Sequence, residues 1–276
     1  MNVSGRVAVV TGGASGIGRA LCQALADAGA AAVVVADLDG PGAEQAAAEI
    51  TAAGHRAVAI RTDVADPAQA QDLVDKVLGE FGRIDLLCSN AGIIAGGGVE
   101  LADETWDRVW AVNVQSHVRL ARAVLPSMLE RGEGYFVFTA SAAGLLTQLN
   151  SAPYAVTKHA LVALAEWLSI TYGDQGIGVS CLCPQAVSTS LGETSRRQVP
   201  AAAGPAPGSG GARQAAVDGV LTPGEVAASV LEGIASERFL ILPHPEVADY
   251  ERRRSGDRDR WLRGMRRLQG RLNAGS

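Results

Sequence analysis

The chain has 276 residues, 47% of them apolar, and a formal net charge of −5. That is enough apolar material for one sizeable core, so one domain over residues 1–245 with an extension over 246–276 is the expected organisation. Every apolar run is broken by Gly, Asp or Arg well short of 18 residues, which excludes a spanning helix, and no membrane partner is expected.

The charge is unevenly spread. Residues 251–276 hold nine arginines against Glu251, Asp257 and Asp259, a net of +6, so residues 1–250 carry −11. A body that acidic repels phosphates, and nucleic acid is not an expected partner. The amino-terminal run M-N-V-S-G-R-V-A-V-V-T-G-G has no basic leader and enters a strand directly, so no secretion signal is expected. Cys22, Cys88, Cys181 and Cys183 lack metal-type spacing, and no metal is expected. Buried free thiols in a reducing cytoplasm fit them best.

In chain order, Arg6–Thr11 is a short β-rich apolar run. T-G-G-A-S-G-I-G follows at once, and then a helix over Ile17–Ala28. Glycines at 12, 16 and 18 leave the backbone N–H groups at a helix N-terminus unobstructed, which is how a strand, a Gly-rich turn and a helix hold a pyrophosphate. The turn Gly12, Ser15, Gly16, Ile17, Gly18 is therefore the candidate phosphate site. A second buried strand, Ala32–Asp37, ends in an acid about 20 residues beyond the turn, the distance at which a carboxylate accepts both ribose hydroxyls of an adenosine. No Arg stands at position 38 or in the turn to attract a 2′-phosphate, so Asp37 and Leu38 predict NAD as the cofactor.

A third strand, Ala57–Thr62, ends at Asp63-Val64. Asp66 as N-cap and Pro67 at N1 then open a helix through Phe81. Ile84–Ser89 is a fourth strand running into Asn90-Ala91-Gly92. Glu104–Arg131 is a long helical stretch in which Asn113, among apolar neighbours, needs hydrogen-bond partners. Tyr135–Thr139 is a fifth strand, Ile177–Cys183 a sixth, and Phe239–Leu242 a seventh, with helices over Ala152–Gly173 and Pro223–Ala235 between them. Strands and helices that alternate in this way predict a doubly wound parallel sheet with helices on both faces and ligands at the carboxyl ends of its strands.

After the fifth strand comes S-A-A-G-L-L-T-Q-L-N-S-A-P-Y-A-V-T-K, residues 141–158. Tyr154 and Lys158 are one helical turn apart and share a face. A phenol with a pKa of about 10 needs its anion stabilised by roughly 3 units, about 4 kcal/mol, to act as an acid or base near neutrality. The Lys158 ammonium and the Ser141 hydroxyl can supply much of that. Only Lys76 and Lys158 are lysines in a chain that otherwise uses Arg for surface charge, which argues against an incidental surface pair. Arg could not replace Lys158, because its delocalised group is not a compact point charge.

Between Val187 and Leu221, Pro200, Pro205 and Pro207 fall among several glycines, predicting a long flexible loop. Its start lies beside the expected site, which makes residues 188–221 a candidate substrate lid. In the tail, Trp261, Met265, Leu268 and Leu272 draw an apolar stripe on a helix whose other faces carry Arg. That helix is expected to dock across a subunit boundary of a dimer or tetramer, the alternative being that it packs on its own subunit.

T-G-G-A-S-G-I-G, Asp37, Asp63-Val64, N-A-G at 90–92, Asn113, Ser141 and Y-A-V-T-K together resemble the short-chain dehydrogenase/reductase family, in its compact single-domain branch. The resemblance spans residues 5 to about 243. It implies a Rossmann-type seven-stranded sheet of order 3-2-1-4-5-6-7 and hydride transfer between a nicotinamide and a carbonyl carbon. Tyr154 would be the acid/base, with Lys158 lowering its pKa and holding the nicotinamide ribose. Ser141 would orient the substrate oxygen, and Asn113 would hold a water in a proton relay. Asp63 and Val64 would contact the adenine, Asn90, Ala91 and Gly92 would line the adenosine half, and Pro184, Val187 and Thr189 would sit at the carboxamide. The family usually has Gly after that Pro, and here Gln185 stands in its place, a side chain able to shape specificity.

The implied substrate is a secondary alcohol or ketone. Ile94, Leu145, Leu149 and Leu191, with Gln148 and Gln185 as hydrogen-bonding members, are the candidate substrate pocket, and they offer no charged anchor. A medium or bulky apolar substrate is therefore expected. The alternative is a catalytically silent dinucleotide-binding protein of the same fold, against which the complete set Asn113, Ser141, Tyr154 and Lys158 counts.

Overall fold

The structure is a computed structural model that describes residues 1–199 and 210–274. Seven strands form one sheet: β1 (Val7–Thr11), β2 (Ala32–Asp37), β3 (Ala57–Arg61), β4 (Leu86–Ser89), β5 (Gly134–Thr139), β6 (Ile177–Leu182) and β7 (Leu240–Ile241). They lie in the order β3-β2-β1-β4-β5-β6-β7, and every pairing is parallel. Side chains alternate across a strand, so β1 sends Val7 and Val9 into one core and Ala8 and Val10 into the other. The first core is closed by helices α3 (Pro67–Phe81), α5 (Ser116–Arg131) and α7 (Ala152–Tyr172), and the second by α1 (Gly16–Asp27), α2 (Gly40–Ala52) and α10 (Pro223–Ala235). Each fully buried Val, Leu or Phe contributes about 1.5–3 kcal/mol, and with the sheet buried on both faces little else is needed to hold it.

Local chemistry sets the boundaries. The Asp66 carboxylate accepts from the N–H groups of Ala68 and Gln69, and α3 stops at Gly82 with φ of 72°. β4 starts two residues later than its apolar run suggests, because the fully buried Asp85 accepts from the Val7 N–H at 2.9 Å and faces Arg83 and Arg131. The long helix after β4 is not uniform. It runs as α4 (Asp103–Trp110), then a π turn over Ala111–Gln115, then α5, and Asn113 sits in the π turn. A short helix, α6 (Ala142–Leu145), which the sequence does not announce, lies between β5 and α7.

The segment expected to be one long loop carries two helices, α8 (Leu191–Gln198) and α9 (Gly210–Ala215). The stretch L-G-E-T-S-R-R-Q contains no proline and is helix-compatible; the composition of the whole region is dominated by the proline and glycine run after it, part of which lies outside the described residues. The base of the segment is tied together, since the Ser188 N–H donates to the Leu221 carbonyl (2.8 Å) and the Leu221 N–H to the Ala186 carbonyl (3.1 Å). After β7 come α11 (Glu246–Gly256) and α12 (Arg258–Ala274). Helix α12 packs against α11 and α9 of its own chain, with Trp261, Met265, Leu268 and Leu272 half-buried.

Candidate active site

The carboxyl ends of β1, β2, β4, β5 and β6 open into one cavity. It is lined by Gly12, Ser15, Gly16, Ile17, Asp37, Leu38, Asp63, Val64, Asn90, Ala91, Gly92, Ser141, Tyr154, Lys158, Pro184, Gln185, Val187, Thr189 and Leu191, among others. Residues more than 170 positions apart in sequence thus share one surface, and Gly18 supports it from behind.

The glycine turn is built for close approach. Gly12 and Gly16 have φ of 67° and 53°, a region that glycine enters without cost. A Cβ at Gly18 would lie 2.0 Å from the Gly12 carbonyl oxygen, so only glycine lets α1 start this close to β1. The Thr11 hydroxyl accepts from the N–H groups of Asn90 (3.0 Å) and Ala91 (3.1 Å), and Asn90 Nδ2 donates to the Thr11 carbonyl (3.0 Å), locking the N-A-G segment to the turn. Asp37 stands at the edge, with Oδ2 accepting from Ala14 N–H and Oδ1 from Asp39 N–H, both at 2.9 Å. A turn without side chains, a helix N-terminus and a fixed carboxylate beyond it suit a dinucleotide with free ribose hydroxyls.

Asp63 is shared. Its Oδ1 accepts from Ala65 N–H (2.9 Å), while Arg108 of α4 stands 3.4 Å from Oδ2 and donates to Gln198 Oε1 of α8 (2.7 Å). Sequence patterns carry no hint of Arg108 or Gln198, because their roles depend on elements that meet only in the fold. The same holds for Ser195, buried on α8, whose hydroxyl accepts from Ile94 N–H (3.0 Å) and seats α8 over the cavity.

At the reacting end, Ser141 Oγ accepts from Ala143 N–H (3.1 Å) and reaches the Pro184 carbonyl (3.4 Å). Tyr154 is buried, and burial raises its phenol above the usual range; a hydrogen bond from Ser141 pulls the other way. Lys158 Nζ donates to the Thr139 carbonyl at 2.8 Å and lies 5.6 Å from the centre of the Tyr154 ring, and burial pushes its pKa down to about 8. The arrangement departs from expectation in one respect: Lys158 is near the phenol, but its ammonium is directed to a carbonyl, and desolvation dominates at Tyr154.

Asn113 has the hydrogen-bond partners that its apolar surroundings require. Its Oδ1 accepts from Ile93 N–H (2.8 Å), and its Nδ2 donates to the Ile93 carbonyl (2.8 Å) and to Thr157 Oγ1 (3.1 Å). The side chain splints the segment after β4 onto α7. A Cβ on Gly92 would lie 3.3 Å from Lys158 Nζ and 3.5 Å from Asn113 Oδ1, and glycine keeps that gap open. Nothing in the sequence announces that His117, one turn beyond Asn113, is fully buried with Nδ1 2.6 Å from Ser89 Oγ.

Of the expected substrate pocket, Gln185 and Leu191 line the cavity, whereas Ile94, Leu145, Gln148 and Leu149 do not. Residues 147–149 are engaged by α9 instead, since Gln214 Oε1 accepts from Leu149 N–H (2.9 Å).

The family profile described as short chain dehydrogenase matches residues 6–200. A 1-deoxy-11-beta-hydroxypentalenate dehydrogenase of Streptomyces exfoliatus is 37% identical over 253 residues, 90% of this chain and 86% of that protein. A D-threitol dehydrogenase of Mycolicibacterium smegmatis is 38% identical over 193 residues, 69% and 73% of the two chains. The crystal structure of a short chain dehydrogenase/reductase from Burkholderia phymatum in complex with NAD superimposes with a TM-score of 0.84 at 35% identity, covering 94% of this chain and 96% of that one. Sequence and sheet order agree, and the chain belongs to the short-chain dehydrogenase/reductase family of oxidoreductases.

Proposed function

We propose that the protein is an NAD(H)-dependent oxidoreductase that interconverts a secondary alcohol and a ketone. The observation that carries this reading is the meeting of Ser141, Tyr154 and Lys158 with the glycine turn and Asp37 in one cavity. A bound nicotinamide would supply the hydride acceptor or donor. Tyr154 Oη takes the hydroxyl proton as the alcohol is oxidised and returns it in reduction, and Ser141 Oγ holds the reacting oxygen. Lys158, the buried cation beside the phenol, favours its anion once the site is filled and binds the nicotinamide ribose. Asp37 and Leu38 receive the adenosine ribose, and the turn Gly12 to Gly18 the pyrophosphate.

The substrate is a medium or bulky, largely apolar alcohol or ketone, a reading supported by Ile93, Val112 and Leu191 among the residues lining the cavity. Residues 188–221, of which 200–209 lie outside the described residues, serve as its lid, an assignment supported by the pairing of Ala186 and Ser188 with Leu221 at its base and by the seating of α8 over the cavity. A homo-oligomer, dimer or tetramer, is supported by the exposed Val156 (48%), Trp167 (55%) and Ile170 (84%) along α7. Four buried free cysteines suit a cytoplasmic location. Among the described residues no helix is long and apolar enough to cross a membrane.

The test is a panel of secondary alcohols with NAD and ketones with NADH, run on the native protein and on Tyr154→Phe. Turnover by the first and its loss in the second is the expected result. Cofactor binding without oxidation or reduction of any panel member would show a dinucleotide binder.

A further inference from the structure

Gln185 stands where the chain leaves β6 for the cavity, and it is held at two points. Its backbone N–H donates to His244 Nδ1 (3.2 Å), His244 being buried just beyond β7. Its side-chain Nε2 donates to Asp218 Oδ2 (2.7 Å), at the base of the segment after α9, and the other Asp218 oxygen accepts from the Tyr250 hydroxyl of α11 (2.9 Å). A carboxylate only accepts, so the amide must turn its NH2 to Asp218, and its Oε1 then points away. Tyr250 lies in the extension beyond the sheet, yet one carboxylate connects it to a side chain lining the same cavity as Ser141 and Tyr154.

We propose that Tyr250 is a positioning residue that, through Asp218, fixes the Gln185 amide with its Oε1 as the acceptor for a hydrogen-bond donor on the substrate, remote from the reacting oxygen. The inference rests on the oxidoreductase reading and refines the substrate class: a mainly apolar skeleton bearing a second hydroxyl or an N–H. The expected selectivity is modest. One neutral hydrogen bond contributes roughly 0.5–1.5 kcal/mol, so a donor-bearing substrate should be preferred by roughly three- to tenfold over the same skeleton without the donor.

Decalone and hydroxydecalone, which differ by one remote hydroxyl, serve as probes. Their affinities for the Tyr154→Phe protein carrying NADH are measured by quenching of nicotinamide fluorescence, a readout that needs no turnover. Their kcat and KM are measured on the native enzyme. Hydroxydecalone should bind three- to tenfold tighter. Gln185→Leu should erase that ratio. Tyr250→Phe, which deletes only the hydroxyl, should shrink it by raising KM for hydroxydecalone while leaving kcat and KM for decalone and the NADH affinity in place. Equal binding of the two ketones, binding of neither, or a ratio that survives Gln185→Leu or Tyr250→Phe overturns the proposal. A binding preference without turnover would sink the oxidoreductase reading alone.

Discussion

Asp37 offers the sharpest prediction, because the structure separates its two tasks. Its oxygens already accept from Ala14 and Asp39 N–H groups, which fixes the carboxylate at the mouth of the nucleotide cleft. A 2′-phosphate set down there would bring a second anion close to it. Two unit charges 4 Å apart repel by about 4 kcal/mol at an effective dielectric of 20, and screening at an open cleft reduces this, so at least a tenfold preference for NADH over NADPH, about 1.4 kcal/mol, is expected. Arg61 is the cross-strand partner of Asp37, but its side chain lies beside Gly40 on the outer edge of the sheet. Asp37→Asn removes the charge and retains one acceptor, so the preference should shrink towards unity with modest loss of stability. Asp37→Ala should shrink it equally and also remove the partner of one part-buried and one exposed backbone N–H, costing about 1 kcal/mol. Fluorescence titration with both reduced cofactors, together with chemical denaturation, checks each number. Equal affinity of the native protein for NADH and NADPH would refute the reasoning.

Other consequences can be checked alongside. Tyr154→Phe keeps the ring but not the proton, so turnover should fall below a few per cent while NAD affinity holds; substantial residual rate would move the acid/base role elsewhere. Gly18→Ala places a methyl where the Gly12 carbonyl stands, and calorimetry should find dinucleotide binding weakened at least tenfold. His117 is fully buried, and its pKa is pushed down to about 3 from 6.5, mostly by burial, with the Lys158 charge adding to it. The unfolded chain therefore binds the extra proton first as acid is added, and stability should fall by about 2 kcal/mol between about pH 6.5 and 4.5; in His117→Gln that part of the slope should vanish, and parallel curves would refute a buried neutral imidazole. Truncation after Pro245 removes Tyr250 and the apolar stripe, and light scattering with kinetics should show a changed assembly, a changed KM, or both.

The sheet was legible in the sequence because its strands are continuous apolar runs ended by special residues, Thr11 with the glycines, Asp37, Asn90 and Ser141. Local rules suffice where an element's own residues settle its state, as with the Asp66-Pro67 start and Gly82 stop of α3. They stop where a distant element decides. Nothing local says that Gln214 of α9 will accept from Leu149 N–H, or that Asn113 will bridge Ile93 and Thr157. The Tyr154–Lys158 spacing predicted proximity correctly. Burial of both groups, however, is a property of the closed fold, and it makes loss of water the largest influence on the phenol, raising a pKa that a neighbouring ammonium alone would lower.

The hydrogen bonds joining Ala186 and Ser188 to Leu221 pair the two ends of a segment of more than thirty residues. Between the stems the segment is fastened again, since the Ser195 hydroxyl accepts from Ile94 N–H, Gln198 Oε1 accepts from Arg108 and Asp218 accepts from Gln185 Nε2. Lengthening the chain between such fixed points costs only about 0.6 kcal/mol for each doubling of a loop, but losing a fixed point loosens the cavity wall it holds. A graft that exchanged this segment between relatives would therefore have to carry Ser195, Gln198 and Asp218 with it.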